Sequence, residues 1–108
     1  MRRTSHPAAV RGTIRYWAAA KAAAGVAEEP YDAATLAEAL AAVRRRHAGN
    51  PVFAGVLDRC SLVVDGDPVG RRDHETVRLV EGGCIEVLPP FAGGARQPRS
   101  GSSGWPRR

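Results

Sequence analysis

Apolar residues recur at a helical spacing near the middle of the chain, in the segment TLAEALAAVRRRH. Four of them follow the pattern i, i+3, i+4, i+7, which places them on one face of a helix: Leu36, Ala39, Leu40 and Val43. Thr35 and Glu38 have the spacing of a capping box at the start of this segment. Arginines at 44–46 and the turn-forming residues 49–51 mark its end. The pattern predicts one main amphipathic helix.

Before this helix, the alternation of apolar and polar residues predicts two strands. In GTIRYWAAA, the residues Ile14, Tyr16 and Ala18 share one face, as expected for a strand with one buried side. The segment AAKAAAG then predicts a short helical turn that stops at Gly25. Val26 and Tyr31 flank a short second strand in VAEEPYDAA.

After the main helix, residues 53–57 predict a further short helical turn that adds apolar side chains to the core. CSLVVDGDPV predicts a hairpin, because Asp65-Gly66 has the composition of a tight turn between two strands. CIEVLPP predicts a last strand with Ile85 and Val87 on the buried face. The two prolines end that strand, since proline cannot donate a hydrogen bond to a sheet.

This order of elements predicts an α+β fold in which a mixed sheet packs on one main helix. A chain of 108 residues is long enough for one small core. We predict a disordered lead over residues 1–11 and a folded domain over residues 12–94. Residues 95–108 are rich in proline, glycine, serine and arginine, and we predict that they form a disordered basic tail.

The net charge of +5 belongs to the ends of the chain. Residues 10–94 carry ten basic residues against all eleven acidic ones, whereas six arginines lie in the flanks. A nucleic-acid surface needs clustered charge on an ordered face, so this distribution argues against nucleic acid as a partner. The triplet at residues 44–46 is the one such cluster, and the helix dipole explains it. The arginine triplet leaves an RNA-associated module as a minor alternative.

The sequence predicts neither a metal site nor a membrane segment. Cys60 and Cys84 are too few for zinc, and we expect both thiols to be inert. His74 lies between two acidic residues on a predicted loop, where adjacent side chains point apart. With neither a signal sequence nor an apolar span, we expect a cytoplasmic protein that does not enter a membrane.

The most distinctive motif is LVEGGCIEVLPPFAGG, in which a Glu-Gly turn, a strand, Pro-Pro, an apolar residue and Gly-Gly follow in register. Together with IRYWAAAKAAAG, TLAEALAAVRRRH and LVVDGDPV, it makes residues 13–94 resemble the small ubiquitin-like sulfur carriers of the MoaD/ThiS family, which act in molybdopterin and thiamine biosynthesis. The resemblance implies the ubiquitin-like β-grasp fold. The ending PPFAGG is more similar to the molybdopterin type than to the thiamine type.

The resemblance also implies a function. In such carriers an activating enzyme of the ubiquitin-activating type uses ATP to adenylate the last carboxylate, which becomes a thiocarboxylate and donates sulfur to a synthase. The protein would then be a carrier with no bound cofactor, and not an enzyme. The residue roles that the resemblance implies are a sulfur-carrying end at Gly94, a flexible arm at Ala92 and Gly93, and a partner anchor at Pro89, Pro90 and Phe91.

The chain departs from the family pattern after Gly94, where fourteen more residues follow. An amide cannot be adenylated, so the carrier function requires a processing protease that removes residues 95–108. The alternative is an uncleaved interaction module whose sheet binds a partner without sulfur chemistry. Phe91 either anchors the chain in a partner or folds back on the sheet. Trp17 either lies exposed on a partner-binding face or packs under the connection that follows it.

Overall fold

The computed structural model of the chain describes residues 8–90. In chain order, the elements are β1 (Val10–Tyr16), α1 (Ala18–Ala24), β2 (Glu28–Ala33), α2 (Leu36–Arg46), α3 (Pro51–Arg59), β3 (Ser61–Val64), β4 (Asp67–Pro68), a short 3₁₀ turn (His74–Thr76) and β5 (Cys84–Leu88).

Five strands form one mixed sheet in the order β2-β1-β5-β3-β4. The last strand, β5, lies in the middle, parallel to β1 and antiparallel to β3. The hairpin between β3 and β4 turns at Asp65 and Gly66, which both have positive φ, as a tight primed turn requires. The sheet and its helices confirm the predicted α+β fold.

The main helix, α2, packs its predicted stripe into the core. Leu36, Ala39, Leu40 and Val43 are all buried. Half of the predicted capping box is present: Thr35 Oγ1 accepts a hydrogen bond from the Glu38 N–H at 3.2 Å. Glu38 Oε1 instead accepts a hydrogen bond from the N–H of Ala34, the residue before the N-cap, at 2.9 Å. On the sheet side the core contains the predicted inward residues of β1 and β5: Ile14, Tyr16, Ile85 and Val87.

Four sequence predictions need correction at their boundaries. Ala18 does not continue the buried face of β1: it is exposed, has a φ of +50° and begins α1, because the strand pairing ends at Tyr16. Val26 is exposed and precedes β2. The domain begins earlier than residue 12, since Val10 already pairs with Ala33 of β2. The predicted turn at 53–57 is a nine-residue helix, α3, with Asn50 as its N-cap.

Two glycines set the entry into β5. Gly82 has a φ of +77°, in the left-handed region that glycine favours. A Cβ on Gly83 would lie 2.6 Å from the Tyr31 hydroxyl oxygen and 2.7 Å from Asp65 Oδ1. Asp65 Oδ1 accepts a hydrogen bond from the Cys84 N–H at 2.8 Å, which fixes the first residue of the strand. The Gly-Gly pair therefore lets β5 begin in close contact with two neighbouring segments.

We predict that Leu40→Ala lowers the free energy of unfolding by about 2–5 kcal/mol, because it empties a buried leucine site between α2 and the sheet. Urea denaturation followed by circular dichroism measures the change. Val52→Ala is the control, since the Val52 side chain is 68% exposed. It should change stability by no more than about 0.5 kcal/mol. Equal effects of the two substitutions would show that α2 does not pack as described.

Candidate functional site

The chain leaves the sheet at the end of β5, at a point held from both sides. On one side the Trp17 N–H donates a hydrogen bond to the Val87 carbonyl oxygen at 3.1 Å. On the other side Leu88 pairs with Ser61 of β3. Pro89 follows and is buried, whereas Pro90 is exposed. Because proline has no N–H, the ladder cannot continue through either residue. The base of the predicted arm is thus fixed to the sheet.

The structure places two of the six predicted site residues, Pro89 and Pro90, together at this exit. Of the two, Pro90 is exposed and Pro89 is buried. Phe91, Ala92, Gly93 and Gly94 lie outside the described residues. The anchor, arm and sulfur-carrying roles therefore stay predictions.

Trp17 lies exposed beside the point where the chain leaves the sheet after β5. Of the two positions that the sequence left open, the structure therefore shows the exposed one and not packing under the following connection. The Trp17 side chain is 43% exposed and lines a shallow cavity of about 210 Å³. The other side chains that line this cavity come from the end of β1, from α1 and from the start of β2: Arg15, Tyr16, Ala18, Lys21, Ala27 and Glu28. Sequence reasoning singled out neither Lys21 nor this cavity, since nothing in the local pattern shows where β5 ends relative to α1.

The two cysteines lie in surroundings that oppose thiolate formation. Burial is the largest cause that raises the pKa of Cys60, whose thiol donates a hydrogen bond to the Val56 carbonyl oxygen at 3.1 Å. Burial also raises the pKa of Cys84, and the negative charge of Glu86 adds to the effect. Thiols with raised pKa values are poor nucleophiles, which agrees with the expectation that both are inert.

The family model described as the ThiS family matches residues 14–94. The chain belongs to the ThiS family. The match begins in β1 and ends at Gly94, and so it includes the final Gly-Gly of the predicted carrier. A comparison with curated proteins found no match.

Solved structures similar to this ThiS family protein share its fold. Small archaeal modifier protein 1 from Methanosarcina acetivorans matches with a TM-score of 0.67 at 17% identity, over 82% of this chain and all of that one (100%). A protein assigned as molybdopterin converting factor, subunit 1, from Pyrococcus furiosus matches with a TM-score of 0.61 at 22% identity, over 76% of this chain and 99% of that one. At these identities the likeness shows the β-grasp fold.

The basic triplet of this ThiS family protein is partly neutralised by ion pairs. Arg44 contacts Asp58 at 2.8 Å, and Arg46 contacts Glu29 at 2.8 Å. Two of the three guanidinium groups therefore face carboxylates of the same chain, which weakens the case for a nucleic-acid surface. Across residues 8–90, no three potential metal ligands cluster, and none of the helices combines the length and the apolar composition of a membrane span.

A second group of polar side chains meets at Glu29 of β2, next to Tyr16 at the end of β1. Its carboxylate accepts hydrogen bonds from Tyr16 Oη at 2.9 Å and Arg46 Nη1 at 2.8 Å, and its Oε2 lies 2.6 Å from His47 Nε2. The Tyr16 ring also packs edge-on against Phe53, with centroids 5.5 Å apart. Since Tyr16 pairs with Val87, this group holds the part of β1 that supports the end of β5.

The contacts of Glu29 also set its protonation. Burial is the largest influence and raises the pKa of this carboxyl, but hydrogen bonds from Arg46, His47 and Tyr16 together outweigh it. The net effect is a pKa below the ordinary value for glutamate. Burial first, and the hydrogen bond to Glu29 second, raise the pKa of Tyr16. The hydroxyl therefore acts as a donor to a carboxylate at neutral pH. The partners satisfy one another, so the group is structural.

We predict that Glu29→Gln lowers the free energy of unfolding by about 1–3 kcal/mol at neutral pH, the range for hydrogen bonds to a charged group. Because the pKa of Glu29 is lower in the folded state, its contribution is complete above about pH 4.3, the ordinary glutamate value. The contribution disappears as the pH falls through the folded-state pKa. The difference between the denaturant midpoints of the variant and the wild type should therefore be constant near neutral pH and narrow as the pH falls below about 4.3.

Glu28→Gln is the matched control for this prediction. Glu28 pairs with Arg15 at 3.1 Å, but both side chains are about half exposed. Its loss should cost less than about 1 kcal/mol. If Glu29→Gln is as mild as this control, or if the gap between Glu29→Gln and the wild type stays constant with pH, the carboxylate does not hold the base of the exit as described.

Proposed function

We propose that the protein is a sulfur carrier whose working end is the carboxyl group of Gly94. The observation that carries the proposal is the ThiS family match that ends at Gly94, on a chain whose last strand ends at Leu88, directly before the buried Pro89. Family membership supports a carrier that serves partner enzymes. The adenylating enzyme, the sulfur-accepting synthase and the chemistry at Gly94 are part of the proposal.

The geometry at the exit suits a group that must reach a partner's active site. The sheet and the Trp17–Val87 hydrogen bond hold the base, and Pro89 and Pro90 restrict the backbone where it leaves. Gly93 and Gly94 have no Cβ, so this part of the chain can enter a narrow channel and adopt dihedral angles that other residues cannot. In the sequence, Phe91 lies between the two prolines and the two glycines. In this proposal its side chain is the anchor in the partner.

The chemistry requires a free carboxylate at Gly94. One carboxylate oxygen attacks the α-phosphorus of ATP on the activating enzyme, which releases pyrophosphate and leaves an acyl-adenylate. Hydrosulfide from the sulfur donor then attacks the acyl carbon, AMP departs with the electron pair of the broken C–O bond, and loss of the S–H proton to solvent leaves a thiocarboxylate. A protease must first remove residues 95–108. The ending PPFAGG favours the molybdopterin pathway for the sulfur that is delivered.

A second candidate function is an uncleaved interaction module. The sheet face opposite the helices presents half-buried residues from neighbouring strands, among them Val63 paired with Glu86. Trp17 adds an exposed aromatic surface beside the exit. A partner that binds this face would need no free carboxylate. The fold shared with an archaeal modifier protein is compatible with either function.

We predict that a chain ending at Gly94 forms a thiocarboxylate with an activating enzyme of the family, ATP and a sulfur donor, whereas the chain of 108 residues does not. Intact-mass spectrometry measures the replacement of oxygen by sulfur. In the same truncated chain, Gly94→Ala should react at least about tenfold more slowly, because the added Cβ restricts the backbone and obstructs the channel.

Gly49→Ala is the control, because a Cβ at Gly49 meets nothing within 4 Å. It should react like the parent chain. Sulfur uptake by the full-length chain, or none by the chain ending at Gly94, would contradict the carrier proposal and favour the interaction module.

A further inference from the structure

Three of the four large apolar side chains that are exposed among residues 8–90 lie on one part of the fold, formed by α1 and α3. Trp17 precedes α1, Val26 follows it, and Val52 is the second residue of α3. Their exposed fractions are 43%, 43% and 68%. Single exposed apolar residues are normal on a protein surface, whereas several on one pair of elements indicate an interaction site.

The two helices are joined, so these side chains border one region. α1 packs against α3. Asn50 Nδ2 donates a hydrogen bond to the Ala23 carbonyl oxygen at 2.8 Å, which ties the end of α1 to the start of α3. Val26 and Val52 each lie within three residues of this hydrogen bond, and therefore at the same junction. Trp17 lies at the other end of α1, a helix of seven residues that is roughly 10 Å long.

This region has almost no charge. We call it the α1–α3 surface, and it comprises the exposed and half-buried residues within 17–27 and 51–57. The two segments, WAAAKAAAGVA and PVFAGVL, contain one charged residue, Lys21, although 25% of the chain is charged. Lys21 is exposed, and no ion pair among residues 8–90 includes it. The surface therefore offers a partner apolar area with a single uncompensated positive charge.

A glycine in the middle of α3 leaves open space on this surface. Gly55 is half-buried, and glycine inside a helix is less stable than alanine. A Cβ at this position would meet nothing within 4 Å, so the packing of the protein itself does not require glycine. Gly55 follows Val52 by three residues, which places both on the same face of α3. Another molecule can therefore approach the backbone of α3 closely beside an exposed apolar side chain.

We infer that the α1–α3 surface is a docking site for a helix of a partner protein, which packs apolar side chains against Trp17 and Val52 and places a carboxylate against Lys21. Helices have no free edge for strand addition, so binding here depends on side-chain packing. Charge complementarity favours the acidic partner, because a two-fold pair of this chain would bring two Lys21 side chains toward the same axis. The inference does not depend on the sulfur chemistry at Gly94.

The test is a selection of phage-displayed random peptides, long enough for about four helical turns, on the immobilised full-length chain. We expect enriched peptides with apolar residues at helical spacing and one aspartate or glutamate on the same face. Calorimetric titration of an enriched peptide should show that Val52→Glu and Lys21→Glu each weaken binding at least about tenfold. A peptide in which lysine replaces the acidic residue should bind Lys21→Glu better than it binds the parent chain.

Val80→Glu is the matched control, because Val80 is also exposed, at 51%, but lies outside the α1–α3 surface. It should bind the peptide like the parent chain. Gly55→Leu should weaken binding without lowering the melting temperature, since the added side chain occupies space that only the partner uses. The circular dichroism spectra of all variants should match that of the parent.

Three results would overturn the inference. The first is a selection that enriches no peptide, or only peptides without an acidic residue. The second is binding that Val52→Glu leaves unchanged, or that Val80→Glu weakens as much. The third is a dimer of the chain in sedimentation experiments that Val52→Glu abolishes, because a second copy would then occupy this surface.

Discussion

The backbone of β5 is hydrogen-bonded on both of its edges, to β1 and to β3, and the rest of the fold is arranged around it. Its side chains Ile85 and Val87 are fully buried against the helices. Asp65 holds the first residue of the strand, and Trp17 holds the carbonyl of Val87. A strand paired on two edges cannot shift by one residue without moving its apolar side chains to the open face. The position at which the chain leaves the sheet is fixed for that reason.

Because the end of β5 is fixed, the folded domain provides a defined base for the segment that carries the proposed chemistry. The half-buried group around Glu29 ties β1, β2 and the end of α2 together, and its Tyr16 lies opposite Val87 in the sheet. The base of the arm is therefore supported by packing and by charge-assisted hydrogen bonds. A reactive end on such a base can be presented to successive partners while the core stays unchanged. Trp17 and Lys21 line the cavity beside this base.

The sequence allowed the fold to be predicted where local patterns determine structure. The stripe and the Thr35 N-cap of α2, the Asp65-Gly66 turn and the alternation in β5 are short-range signals, and the structure confirms each. Ala18 was misassigned because alternation cannot show where strand pairing ends. The Glu29 group and the cavity beside Trp17 join residues from separate elements, so no local spacing reveals them. The roles of residues 91–94 came from the family resemblance, and they stay predictions.

The carrier function is tested most directly by the intact mass of the protein recovered from its own host, with the C-terminal residue identified by peptide sequencing. The function requires a chain that ends at Gly94, with a fraction of molecules heavier by the difference between sulfur and oxygen. That fraction should revert to the oxygen form on mild hydrolysis, since a thiocarboxylate is more labile than a carboxylate. A population that ends only at Arg108, with no sulfur added, would contradict the carrier function and leave the interaction module.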